Sequence, residues 1–346
     1  MNANSESTAP AAQPRWRQWL QNLTLSVVVF LLCIVVFEVV LRSCGFGNVE
    51  IYQADPQLYW RLKPNQDCYT KIGHKAVHIN AQGTRGPEFQ TAKAPRTLRI
   101  LSLGDSRTFG WGLTDDETYS RRLERLLQQQ IGPGRTVEVI NAGVNAWSYP
   151  QMFVYFRDFG LRYHPDFVVV GDANLWTQFS EKNSPEFVRQ FMQRVRLKNF
   201  LRHFAIYHFV VEVQLENFYQ RERTKFIPVD PRQDALFKAQ QQSDPDAVFR
   251  EAVENLCQVA QTNHVRPVLL FLPMLDQLTA TGRVDLLEVK RAASAKFGVP
   301  LVDMTADLKL GGKALYLDAD PVHFNAQGNA LVAERLFETI TNRLTQ

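Results

Sequence analysis

A serine and a histidine, far apart in the chain, carry the residue types that acyl chemistry needs. Ser106 ends the stretch Arg99-Ile100-Leu101-Ser102-Leu103-Gly104-Asp105-Ser106, an apolar run broken by a glycine. A serine between a buried strand and the helix after it lies where open α/β sheets place their ligands. Its hydroxyl becomes a nucleophile only beside a base. Asp320-Pro321-Val322-His323 supplies an acid and a histidine three residues apart in a loop. A carboxylate so placed can accept the Nδ1 proton and turn Nε2 toward a serine.

Two further stretches fall at predicted strand ends, Asn141-Ala142-Gly143 and Gly171-Asp172-Ala173-Asn174. Each is commonplace alone. In this order, with Phe324-Asn325-Ala326-Gln327-Gly328 following the histidine, the chain from about Leu98 onward resembles the SGNH hydrolases, also called GDSL esterases. The resemblance implies Ser106 as nucleophile, His323 as base and Asp320 as its orienting acid. It also implies an oxyanion hole formed by the amides of Ser106 and Gly143 and the side chain of Asn174. Two residues separate Gly171 from Asn174 where the family commonly has one, so Asn145 stands as the alternative donor. Asp105 is expected to stabilise the loop after the strand. Arg107 and Trp111, just past the nucleophile, are candidate substrate contacts. Neither a metal nor another cofactor is required by this chemistry.

Strands and helices alternate from Leu98 onward, as in a parallel α/β sheet. Strands are expected at Leu98–Leu103, Val137–Asn141, Phe167–Val170, Pro267–Leu272 and Pro300–Val302. Helices are expected at Thr118–Gln130, Pro150–Arg157, Asp246–Thr262, Leu286–Phe297 and Ala326–Leu344. Near-continuous apolar strands require cover on both faces. The family likeness makes this a three-layer α/β/α, flavodoxin-like fold with five parallel strands ordered 2-1-3-4-5. Between about 175 and 245 the rhythm breaks into aromatic-studded helical segments, Phe187–Met192 and Phe204–Phe218, read as an insertion beside the active-site end that serves as helical cap or substrate lid. Residues 43–97, rich in turn formers and aromatics, read as a stem packing on the domain at 98–346. His74 and His78 lie four apart there, with no helix to make them a ligand pair.

The 346 residues have ordinary globular composition, 45% hydrophobic and 21% charged. A formal charge of +4 without a compact basic block gives no support to nucleic-acid binding. The first 18 residues, rich in Asn, Ser, Ala, Pro and Gln, read as a disordered cytoplasmic tail. Leu23–Leu41 is apolar except for Thr24, Ser26 and Glu38, and as a helix spans roughly 28 Å. The expected anchor, 19–42, follows Arg15 and Arg17, which keeps the amino terminus inside and sends the catalytic part across the inner membrane. A cleaved signal peptide fits less well, because no small-x-small site follows. Leu41-Arg42-Ser43-Cys44 only faintly resembles a lipoprotein site. Glu38 can pair with Arg42 one turn on. Cys44 and Cys68, both in an oxidising compartment under this topology, are a candidate disulfide.

The expectation is therefore a membrane-anchored serine esterase facing the periplasm or cell exterior, with an acylated glycan or lipid ester as substrate and O-acetyl groups of envelope glycans foremost. An O-acyltransferase with the same triad is the alternative, and would need an acyl-donor membrane partner. A non-catalytic envelope-binding protein is the third.

Overall fold

A computed structural model describes residues 15–49, 52–70, 74–173, 184–215, 245–278, 285–318 and 320–345. Helix α1, Arg15–Ser43, precedes two antiparallel hairpins, β1 (Tyr52–Asp55) with β2 (Tyr59–Leu62), and β3 (Gln66–Tyr69) with β4 (Ala76–Ile79). Then come β5 (Thr97–Gly104), α2 (Ser106–Phe109), α3 (Tyr119–Ile131), β6 (Thr136–Gly143), α4 (Tyr149–Asp158) and β7 (Phe167–Val170). Helix α5 (Pro185–Leu201) is followed by α6 (Ala205–Tyr207), which runs on as a π-helical stretch, His208–Leu215. Helix α7 (Pro245–Thr262), β8 (Arg266–Phe271), α8 (Asp285–Phe297), β9 (Leu301–Asp303), α9 (Thr305–Gly311) and α10 (Ala326–Leu344) complete the chain.

The five long-range strands form one parallel sheet in the order β6-β5-β7-β8-β9. This is the expected 2-1-3-4-5 order, with strand limits within a residue or two of those read from the apolar runs. Alternate residues of each strand feed two separate cores. Leu101, Leu103, Val168, Val170 and Leu269 pack with residues of α4, α7 and α8, such as Phe156, Phe249 and Leu287. Ile100, Val139, Val169 and Leu270 pack with α3 and α10 through Leu123, Leu127, Val332 and Leu336. Every residue of β5 is buried, because this central strand is covered on both faces.

Short strands, not helices, build the region after α1, and it braces two loops at the carboxyl end of the sheet. Trp60 Nε1 donates to the carbonyl of Asn145 (3.0 Å), and the buried Trp147 indole donates to the carbonyl of Trp60 (2.9 Å). Arg85 N–H donates to Asn141 O (3.0 Å), laying the chain along the free edge of β6. The buried Arg85 guanidinium bonds Asp115 (2.7 Å) and the carbonyls of Phe109, Gly110 and Leu113 (2.8, 2.7 and 2.6 Å).

The described part of the expected insertion lies against this hairpin region and the end of α1. Phe191 meets Tyr59 and Trp60 edge-on and tilted (centroids 5.7 and 5.4 Å). Residues 175–183 and 216–244 of the insertion, and 1–14 of the expected tail, lie outside the described residues. Helix α1 is long and apolar enough to cross a membrane, with a mean hydropathy of 2.9 over its most apolar window. Its Glu38 does pair with Arg42 (2.7 Å). Cys44 and Cys68 do not form the disulfide considered from sequence. Cys68 is buried inside the β3–β4 hairpin and Cys44 is exposed at the end of α1.

Candidate active site

The link from β5 to α2 presents Ser106. Asp105 is the N-cap of α2 and accepts from the Arg107 amide (2.9 Å), satisfying one of the orphan donors of a helix start. The helix is pressed against the ends of β5 and β6, where Gly104 and Gly143 lie side by side in register. A Cβ at Gly143 would overlap the backbone of Thr108 and Phe109, so only glycine permits this approach. Asn141 Nδ2 donates to Thr108 O (2.9 Å) and fixes the turn from beneath.

The loop from β9 to α10 brings the histidine to the serine. Leu317 N–H donates to His323 O (2.8 Å), Tyr316 OH donates to Pro273 O (2.8 Å), and Asn325 caps α10 by accepting from Gln327 and Gly328 N–H (3.0 and 3.1 Å). Held this way, His323 Nε2 lies 2.7 Å from Ser106 Oγ, and His323 Nδ1 lies 2.7 Å from Asp320 Oδ2. The other oxygen, Asp320 Oδ1, accepts from Val322 and His323 N–H (2.9 and 3.1 Å). Burial pushes the Asp320 carboxyl upward, but the His323 bond and charge and these two amides outweigh it and hold it below the ordinary aspartate range. The Trp111 ring stacks on the His323 imidazole, centroids 5.8 Å apart and 26° from parallel, with its other surroundings half open to solvent.

Three of the expected site residues are placed differently or not at all. Arg107 does not face a substrate. It is buried, pairs with Asp105 (2.8 Å) and Asp172 (3.7 Å), and donates to Leu272 O (2.7 Å), because two carboxylates behind α2 attract it inward. Burial opposes its charge, and Asp105 and Asp172 overcome that and raise its pKa above the ordinary value. The alternative oxyanion donor, Asn145, gives its Nδ2 to Tyr52 OH (2.7 Å), which ties it to the stem. Asn174 lies outside the described residues. Of the remaining expected donors, the Ser106 amide opens α2, where a first-turn N–H has no intrahelical acceptor. The Gly143 amide donates to Asn141 Oδ1 (3.0 Å), so an oxyanion would have to share that N–H.

Sequence reasoning did not pick out Lys290. It is wholly buried, and its ammonium bonds Asp172 Oδ1, Gly171 O (3.1 Å) and Leu270 O. Asp172 also accepts from Tyr149 OH (3.1 Å) and from Leu272 N–H. Burial draws the lysine pKa down and Asp172 offsets part of that. Asp105, Arg107, Asp172 and Lys290 thus form a charge-balanced cluster beneath the serine. A lysine on the apolar stripe Leu286-Leu287-Val289-Ala293 was its one visible sign. Ala146, in the loop after β6, takes a left-handed backbone (φ 65°) that costs a non-glycine residue about 1 kcal/mol. The buried Trp147 beside it holds the strained turn in place. Among the described residues no cluster of three or more His, Cys, Asp or Glu gathers as a metal site.

The model of the GDSL-like lipase/acylhydrolase family matches residues 102–331, well over half of the chain. Similar solved structures include a two-domain esterase active on acetylated mannans (15% identity, TM-score 0.43, 72% of this chain and 50% of that one). A lipase/acylhydrolase from Enterococcus faecalis is 17% identical over 71% of this chain and 96% of its own (TM-score 0.44). An acetyl xylan esterase is 14% identical over 70% of this chain and 100% of its own (TM-score 0.42). The chain thus spans half the length of the two-domain esterase. No curated protein matches it in sequence. With the matched segment running from within β5, through the serine and histidine, into α10, the chain belongs to the GDSL-like lipase/acylhydrolase family and is a carboxylic ester hydrolase.

Proposed function

We propose that this is a membrane-anchored serine esterase acting outside the cytoplasm on O-acyl, foremost O-acetyl, esters of envelope glycans. The observation that carries the catalytic part is the unbroken chain of hydrogen bonds from Asp320 through His323 to Ser106 Oγ. Ser106 Oγ attacks the ester carbonyl while His323 Nε2 takes its proton; Asp320 holds the ring and stabilises the imidazolium. The carbonyl oxygen becomes an oxyanion received by the Ser106 and Gly143 amides, with the Asn174 side chain as third donor. As the tetrahedral intermediate collapses, His323 returns the proton to the departing sugar hydroxyl. Water, deprotonated by His323, then attacks the acyl-enzyme and releases the acid and Ser106.

The half-exposed Trp111 ring beside His323 supports a saccharide substrate, since an aromatic face suits the apolar face of a sugar ring. The apolar helix α1, preceded by Arg15 and Arg17, supports an inner-membrane anchor with the domain outside. The test is hydrolysis of p-nitrophenyl acetate, longer acyl esters and acetylated glycans by the full chain, with fluorophosphonate labelling of Ser106. Turnover should fall on the order of 10⁶-fold in Ser106→Ala and in His323→Ala. No turnover and no labelling in folded wild type would overturn the esterase reading. Labelling without hydrolysis, with acyl transfer appearing once a sugar acceptor is added, would make it a transferase.

A further inference from the structure

The outer end of α1 is not a free tether, because it is bonded to the segment that follows α5. Glu38 accepts from the N–H groups of Ala205 (2.9 Å) and Ile206 (3.0 Å), and Arg42 bonds the carbonyl of His203. Phe37 and Phe46 both meet Phe209 edge-on, with centroids 6.2 and 4.9 Å away. Glu38 lies one helical turn before the end of the apolar run, about 5 Å along the axis from Leu41. The start of the Ala205–Leu215 segment is therefore pinned at the depth where an α1 anchor leaves the hydrocarbon.

This pinned segment leaves apolar side chains uncovered. Val210, Val211 and Leu215 are 38%, 39% and 53% exposed. Leu197 and Phe200, three apart near the end of α5, are 61% and 60% exposed, and Phe204, in the extended link to α6, is 44% exposed. Its ionic groups are already matched internally: Arg202 pairs with Glu212 (2.9 Å), both buried, and Glu38 with Arg42. Arg194 and Arg196, exposed on α5, are the side chains that reach for anionic headgroups when an amphipathic helix lies in a bilayer surface.

We propose that Leu197–Leu215 is a second membrane contact, seated in the outer headgroup layer of the same bilayer that α1 spans. The catalytic domain is then docked at a fixed attitude to the lipid surface and does not swing on a stalk. This inference rests on the reading of α1 as an anchor. Its test is photolabelling of the full chain in phosphatidylcholine–phosphatidylglycerol vesicles with a lipid-soluble diazirine, read residue by residue by mass spectrometry. Adducts are expected on Val28–Val36 and, at a lower level, on Phe200, Phe204 and Val211. Leu310, 91% exposed on α9, should be labelled on the order of tenfold less, since an apolar reagent concentrates in hydrocarbon. Adducts on α1 alone would overturn the docking, these side chains then facing water, a second copy or another protein. Absence of adducts from α1 as well would overturn the anchor itself and the docking with it.

Discussion

The ammonium of Lys290 is closed against the carboxylate of Asp172, both with no exposed side-chain surface, one strand over from the loop that carries Ser106. Asp172 immediately follows Gly171 at the end of β7, and its carbonyl receives the Asp105 N–H (2.9 Å). The pair therefore fastens the nucleophile's loop to the neighbouring strand. Removing one partner of a buried ion pair strands the other charge, at a cost of about 3–5 kcal/mol. Lys290→Met should lie near the lower end of that range, since Arg107 remains at 3.7 Å from Asp172. Urea unfolding measures it; a loss below about 1 kcal/mol would contradict a charged pair.

Arg85 is the clamp between the stem and the turn after α2. Arg85→Met removes a donor from three buried carbonyls. Gly110 O keeps the Leu113 N–H and Phe109 O a longer bond from Asn141, whereas Leu113 O loses its guanidinium partner, at a cost of about 1–3 kcal/mol. Thermal unfolding should reveal the loss, and turnover should drop even where the variant is fully folded, because Trp111 and α2 lose their support. Full activity in a folded Arg85→Met would show that the stem does not position the site.

Asp320 sets an acid limit. Its folded pKa lies below the ordinary aspartate value near 3.8, so its contribution to stability is present above that value and is lost as pH falls through the lower, folded one. Asp320→Asn should flatten this part of the acid-unfolding curve and reduce kcat about 10⁴-fold through a misoriented His323. Acid titration followed by circular dichroism, together with kcat at neutral pH, checks both; an unchanged acid limb would show that the carboxylate is not stabilised by the histidine.

Trp111 separates sugar recognition from chemistry. Trp111→Ala should raise KM for an acetylated oligosaccharide about 3–10-fold, the value of one aromatic contact, and leave p-nitrophenyl acetate hydrolysis much less affected. Equal losses on both substrates would assign the ring to holding His323 alone.

The sheet was legible because its strands are short apolar runs separated by helices with clear spacing, and each run had only one way to be covered. The serine, acid and histidine were legible for a local reason: Asp320 and His323 are three residues apart, and Ser106 stands at a strand end. Arg107 was misread because its direction depends on Asp172, which only the closed sheet brings behind α2. Lys290 was overlooked since a lysine in a helix ordinarily reaches solvent, and its partner is 118 residues away. The stem's strands, four residues each, are too short for an alternation to show, and the Asn145–Tyr52 bond joins positions 93 apart.

The stem reaches two loops at the carboxyl end of the sheet, Arg85 the Phe109–Leu113 turn and Trp60 the Asn145–Trp147 loop. Its hairpins are thus part of the enzyme and no mere spacer. Proteolysis between β1 and Arg85 is expected to separate these contacts from the site and to lower activity. With α1 as the proposed anchor, a soluble form that keeps these contacts is expected from a cut between Ser43 and Tyr52, ahead of the first hairpin.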